Sequence, residues 1–160
     1  MSELRIEKRR VDAVLMLATG SRVGGCFFVA ESSSTHAPER VADLLNGESG
    51  FFPFELNADA GANTVLYNRA HLVLVTLKEE GTAEVTLDPG YDVAATRRVR
   101  MVLSTGAVVE GVVRIYRPAG RDRLSDYGRA AEGFRYVETA SATVIVNLTH
   151  IVEIRETTEA

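Results

Sequence analysis

Three short blocks of this chain occur twice, in the same order. "LATGSRVGGCFFV" (17–29) parallels "LSTGAVVEGVVRI" (103–115), and "RVADLLNGESGFFPF" (40–54) parallels "RLSDYGRAAEGFRYV" (123–137). "TVLYNRAHLVLV" (64–75) parallels "TVIVNLTHIVEI" (143–154). The offset falls from 86 (17 to 103) to 83 (40 to 123) to 79 (64 to 143), so the length differences lie between blocks, where loops belong. One match of this kind would mean little, but three collinear matches imply a duplication. Its period exceeds the roughly 20–50 residues of solenoid repeats, which leaves a tandem pair of domains. We assign them to residues 8–78 and 97–156, with an ordered linker over 79–96.

Each half reads mainly as strands. Val11 to Leu17 and Val23 to Ala30 flank a Thr19-Gly20 turn, as Val99 to Leu103 and Val108 to Tyr116 flank Thr105-Gly106. Glycine suits such hairpins because it adopts positive φ without steric cost. Gly25 and Gly111 fall inside the second strand, where glycine marks a bulge or bend that lets a short sheet curl. Pro38 before "ERVADLLNG" predicts a short helix, with Pro38 in its first turn and Gly47 past its end. Arg121 to Arg129 is its weaker counterpart, interrupted by Gly128. "GFFPFEL" and "GFRYVET" read as third strands, the first demoted to an edge or bulged strand by Pro53. In the linker, Ala83 to Leu87 reads as an extra strand and "DPGY" as a turn.

The plan of strand, Gly turn, strand with an internal Gly, insertion, strand, then strand–tight turn–strand resembles the Sm-like fold of Sm, LSm and Hfq proteins. "LMLATGSRVGGCFF" and "MVLSTGAVVEGVVR" are similar to its opening motif, and "VLYNRAHLVLV" and "VIVNLTHIVEI" to its closing motif. The resemblance spans most of each half. It implies an all-β protein of two tandem five-stranded small barrels, each with an inserted short helix, packed about a pseudo-twofold or ring-like relation. The Asp-x-x-Met-Asn signature of Sm proteins is absent, and Asn-Arg-Ala-His and Asn-Leu-Thr-His stand where the family has its closing turns. The resemblance therefore carries over the fold and not the family's RNA contacts.

The repeated word Asn-x-x-His, Asn68 to His71 and Asn147 to His150, has a chemical and an architectural reading. Histidine titrates near neutrality and binds metals, but a metal site wants three or four converging ligands. Beyond these histidines the sequence offers only Cys26 and His36 among Cys and His. The architectural reading is the stronger: the Asn caps an Asx turn two residues on, and the His returns a bond to the turn's carbonyls. Arg69, opposite Leu148, supplies a cation to one copy only, so Asn68, Arg69, His71, Asn147 and His150 form a candidate ligand or RNA-contact set.

A second candidate surface comprises Arg40, Asp43, Arg123 and Asp126, two pairs at helical i, i+3 spacing, where opposite charges meet. Phe134, Arg135 and Tyr136 join it as an aromatic–cation cluster suited to stacking. Phe51, Phe52 and Phe54 suit a core or subunit interface better than a base platform, since no cation interleaves them. Cys26 reads as a small buried hydrophobe.

No nucleophile elbow, phosphate loop, CxxC or HExxH motif occurs, so no catalytic residue, cofactor or metal is expected. A formal charge of −4 disfavours RNA as partner, because phosphate neutralisation needs a basic face. No apolar run approaches the roughly 20 residues of a membrane span, and no secretory h-region follows "MSELRIEKRR". With a single cysteine, the expectation is a cytoplasmic protein. The expected function is a non-enzymatic binding or assembly module that meets a protein partner or further copies through barrel edges.

Overall fold

In the computed structural model the described residues are 8–31, 38–57, 63–78, 85–86, 90–116, 124–127 and 133–157. Alternating apolar and polar residues fold into ten strands. The first half holds β1 (Lys8–Leu17), β2 (Arg22–Ala30), α1 (Val41–Gly47), β3 (Phe51–Leu56), β4 (Asn63–Asn68) and β5 (Leu72–Leu77). The second holds β6 (Ala95–Leu103), β7 (Val108–Ile115), α2 (Leu124–Tyr127), β8 (Phe134–Glu138), β9 (Thr143–Asn147) and β10 (Ile151–Glu156). A single 3-10 turn, Arg69–His71 or Leu148–His150, joins the last two strands of each half.

All ladders are antiparallel and form one sheet in the order β10-β6-β7-β8-β9-β5-β1-β2-β3-β4. The chain is thus all-β, in an open sheet. Within each half the order is the same: β5-β1-β2-β3-β4 repeats as β10-β6-β7-β8-β9. The halves join head to tail, because β5 pairs with β9 and not with its counterpart β10. A twofold relation would bring like strands together, so the pseudo-twofold alternative is corrected to a head-to-tail one.

Central and edge positions explain the burial of similar sequences. β9, "TVIVN", is buried throughout because β8 and β5 flank it and apolar layers cover both faces. β4, "NTVLYN", lies at the end of the sheet and is exposed or half-buried along its length. Two cores form. One gathers Leu15, Phe27, Phe52, Phe54 and Leu45 of the first half, together with Phe134 and Ile145 of the second. The other gathers Val99, Met101, Val113 and Tyr127 of the second half, together with Met16, Val73 and Leu74 of the first. Each core borrows residues across the β5–β9 joint, which locks the halves together.

Phe27 stacks on Phe52 at 5.7 Å and meets Phe54 edge-on at 5.0 Å, so two of the three neighbouring phenylalanines are core residues. Phe51 faces outward. Pro53 lies opposite Leu66 of β4, while β3 meets β2 only at Glu55 and Leu56; its missing N–H therefore interrupts no ladder.

Gly25 and Gly111 make no bulge, because β2 and β7 run in unbroken register past them. They admit a crossing backbone instead. A Cβ at Gly25 would lie 2.1 Å from the Glu55 carbonyl oxygen, and one at Gly111 2.5 Å from that of Glu138. The hairpins turn through Gly20 and Gly106 at φ +88° and +89°, as their sequence requires.

Two further local expectations change. Helix α1 begins at Val41, beyond Pro38, and Gly47 is its last residue. Asp43 is the reason: its carboxylate accepts the Arg40 backbone N–H at 2.9 Å and fixes the start there. Val85 is helical and Thr86 lies in a turn, so the strand expected over Ala83 to Leu87 does not form at these positions; its other residues lie outside those described. Of the expected second helix, Leu124–Tyr127 is observed and the remainder lies outside the described residues.

The end of the linker is anchored. Gly90, at φ +80°, opens a 3-10 turn over Tyr91–Val93. The Arg114 guanidinium lies 3.7 Å from the Tyr91 ring centre and donates to its carbonyl at 3.1 Å. Arg114 and Tyr91 both donate to Glu138, each at 2.7 Å.

Candidate interaction site

The two Asn-x-x-His words are built alike at the backbone. Asn68 Oδ1 accepts from Ala70 N at 3.0 Å and Asn147 Oδ1 from Thr149 N at 3.1 Å, the Asx bond two residues on. His71 O accepts from Ala18 N and His150 O from Ser104 N, both at 2.8 Å, tying each turn to the hairpin of its own half. Arg69 N and Leu148 N donate to Gly50 O and Gly133 O, again both at 2.8 Å.

The side chains then diverge. Asn147 is buried at the joint, and its amide donates across it to Leu72 O at 2.8 Å and Arg69 O at 3.3 Å. Among the described residues the Asn68 amide nitrogen has no such partner. His150 also spans the joint, with Nε2 2.6 Å from Ala70 O and Nδ1 2.8 Å from Ser104 Oγ. Its ring therefore reaches the other half's turn and not the carbonyls of its own, because the joint sets the two turns side by side. The His71 ring is exposed and has no hydrogen-bond partner among the described residues.

Arg69 is buried and directed at backbone. Its guanidinium donates to Leu44 O at 3.0 Å, Leu45 O at 3.2 Å, Ser49 O at 3.4 Å and Phe51 O at 2.6 Å. Leu44 and Leu45 belong to α1, whose final carbonyls lack intrahelical partners, so Arg69 closes the helix C-terminus. The cation lies over the Phe52 ring at 5.8 Å. A groove of about 300 Å³ lies beside it, bordered by Asn46, Glu48, Asn68, Asn147 and Thr149.

The second candidate surface divides. Arg40 pairs with Asp43 at 2.8 Å and lies 5.7 Å from the Tyr136 ring centre, so these three meet across the joint. Desolvation pushes the Asp43 carboxyl upward, but the Arg40 side-chain and backbone hydrogen bonds outweigh it and hold the carboxyl below its ordinary value. Phe134 is buried in the first half's core, while Arg135 lies over the Tyr127 ring at 4.6 Å. Phe134, Arg135 and Tyr136 thus serve three separate contacts instead of one stacking platform. Arg123 lies outside the described residues, and Asp126 falls within α2.

Asn46 is a joint residue that sequence reasoning missed. Its side chain accepts from Phe134 N and donates to Phe134 O, both at 2.9 Å, acting as a short extra rung between α1 and β8. Its only sequence mark is its position before Gly47 at a helix end. Its aligned counterpart is Arg129, which could not have signalled the contact.

Cys26 is buried, and desolvation raises its thiol pKa. No group of three His, Cys, Asp or Glu able to hold a metal occurs among the described residues. No helix among them is long and apolar enough to cross a membrane. Among the described residues, the joint leaves unpaired the outer side of β4 and of β10, each bearing exposed apolar residues, Leu66 and Val152. No protein-family model, curated protein or solved structure matches this chain.

Proposed function

We propose that the chain is a non-enzymatic binding and assembly module built of two Sm-like five-stranded units, acting through the strand edges at the two ends of its sheet. The carrying observation is that, among the described residues, β4 and β10 each have a partner on one side only and expose large apolar side chains there. Such edges are templates for strand addition, in which backbone hydrogen bonds supply affinity and alternate side chains supply specificity. The shared strand order of the halves and their matching Asx turns support a duplicated unit. RNA binding through the closing turns has less support, since the Arg69 guanidinium is directed at four backbone carbonyls and the formal charge is −4.

The test combines solution mass with capture of partners from the native cell, comparing the wild-type chain with Leu66→Lys. A complex, with itself or with another protein, that is lost in the variant is the expected result. A monomer that captures no protein would overturn the proposal.

A further inference from the structure

We propose that the cleft between β7 and β8 binds a single carboxylate group, with the Arg135 guanidinium as its receptor. The inference goes beyond the assembly reading, because the cleft lies between inner strands and uses neither end of the sheet.

The cleft exists because β7 and β8 pair only at Val112 and Glu138. Beyond that rung the strands part, and a cavity of about 40 Å³ opens between the end of β7 and the start of β8. Arg114, Tyr116, Arg135, Tyr136 and Glu138 border it, with Val85 of the linker. Such a volume holds about three waters, or one group of similar bulk.

Arg135 is the unused group there. Its Nη1 is buried and has no hydrogen-bond partner among the described residues. The guanidinium carbon lies 4.6 Å from the Tyr127 ring centre. A ring covers the face of a guanidinium, whereas the N–H donors point outward within its plane. The aromatic contact therefore leaves those donors unsatisfied. The Tyr127 hydroxyl, also buried, is orphaned in the same way.

The duplicated blocks show that the fold does not require a cation here. Arg135 stands where the first half has Phe52, and Tyr127 where it has Leu44. Phe52 is fully buried and stacks on Phe27 in the first core. On β7, Arg114 stands where β2 has Phe28. Three apolar residues of one half are thus two arginines and a tyrosine in the other, while Glu138 is matched by Glu55.

Charge selects the ligand. Arg114 is already engaged: Nε donates to Glu138 Oε2 at 2.7 Å, and its other nitrogens donate to Tyr91 O and Tyr91 Oη. Glu138 offsets that charge, and its second oxygen accepts from the Tyr91 hydroxyl at 2.7 Å. The charge of Arg135 remains, and a monoanion would cancel it. A phosphate dianion would leave a surplus negative charge beside Glu138. A carboxylate also matches the planar fork of a guanidinium and is small enough for the cavity.

The test titrates the full-length chain with sodium acetate against sodium chloride at constant ionic strength, following amide NMR shifts of β7 and β8. A saturable shift at this cleft is expected for the wild type. Arg135→Phe installs the first half's residue and should weaken acetate binding by about tenfold or more, the loss of a charged hydrogen bond. Arg135→Lys keeps the charge without the fork and should give a smaller loss; it decides the matter if the phenylalanine variant does not fold. Arg155→Gln, which removes an exposed arginine of β10, should leave binding unchanged. A short peptide with a free C-terminus, beside its amide, then separates two sources of the carboxylate. Binding of the acid alone supports a protein terminus, and exclusion of both peptides supports a free small carboxylate. No saturable shift in the wild type would overturn the proposal, as would acetate binding that neither Arg135 variant weakens. Phosphate binding more tightly than acetate would overturn the choice of a carboxylate.

Discussion

Asn68 and Asn147 make the same Asx turn, yet one amide reaches across a joint and the other meets no partner among the described residues. The same four-residue word therefore does two jobs, and position in the sheet separates them. Beside the joint Asn147 is buried and His150 bridges the halves; at the outer edge Asn68 is half-buried, and the exposed His71 ring bridges nothing among the described residues. Arg69 against Leu148 is the second contrast. Arg69 faces inward onto carbonyls at the end of α1, and Leu148 packs beside the second core. A difference that first suggests a surface cation is thus a difference in how each half secures its insertion.

The largest effect should come from giving the first turn the second turn's residue. Arg69→Leu strands four backbone carbonyls and is expected to cost about 3 kcal/mol or more in urea unfolding, since each buried acceptor left unpaired is expensive. A loss below about 1 kcal/mol would show that water replaces the guanidinium there.

A smaller but more selective contrast lies in the asparagines. Asn147→Ala removes the Asx bond and both bonds across the joint, and should cost about 2–3 kcal/mol. Asn68→Ala, measured on the single chain, removes the Asx bond alone and should cost about 1 kcal/mol. Equal losses by thermal or urea unfolding would erase the distinction between joint and edge.

The smallest effect at neutral pH, and the one of opposite sign, concerns Tyr127. Its buried hydroxyl has no hydrogen-bond partner among the described residues, and burial pushes its pKa up to about 12, against some opposition from Arg135. The neutral form is thus favoured in the folded state. That stability is fully present below the unfolded pKa of 10.0 and is lost as pH rises from there through about 12. Tyr127→Phe should leave stability unchanged or raise it by about 1 kcal/mol at neutral pH. It should also flatten the alkaline decline in unfolding free energy; a decline of unchanged steepness would assign it to other groups.

Much of this was legible in the chain. The duplicated blocks mark the succession of strands along each half, the two Gly hairpins and both Asx turns, because these rest on local chemistry that short motifs carry. The joint was not legible. Which edge of one half meets which edge of the other depends on tertiary packing, and neither Asn46 nor His150 advertises a partner more than 70 residues away. The helix start was misplaced for a local reason: Pro38 is permissive at a first turn, whereas the Asp43 carboxylate on the Arg40 N–H selects the observed one. The interaction reading of Arg40, Tyr136 and Phe134 picked out residues that the structure brings to the joint inside the chain.

The most direct measurement of assembly through the two edges is disulfide trapping between copies with cysteines at Leu66 and Ile154, the duplicated counterparts of Ile145 and Val75, which pair at the inner joint. Cys26 can remain, because it is buried. The two positions lie on strands at opposite ends of the sheet, so a bond between them has to join different molecules. Leu66→Cys/Ile154→Cys should give covalent multimers under mild oxidation. Leu66→Cys/Val152→Cys, offset by two residues along the strand, should give few, since a disulfide needs Cα atoms within about 7 Å. Multimers from the offset pair alone, or from neither, would contradict self-assembly through these two edges.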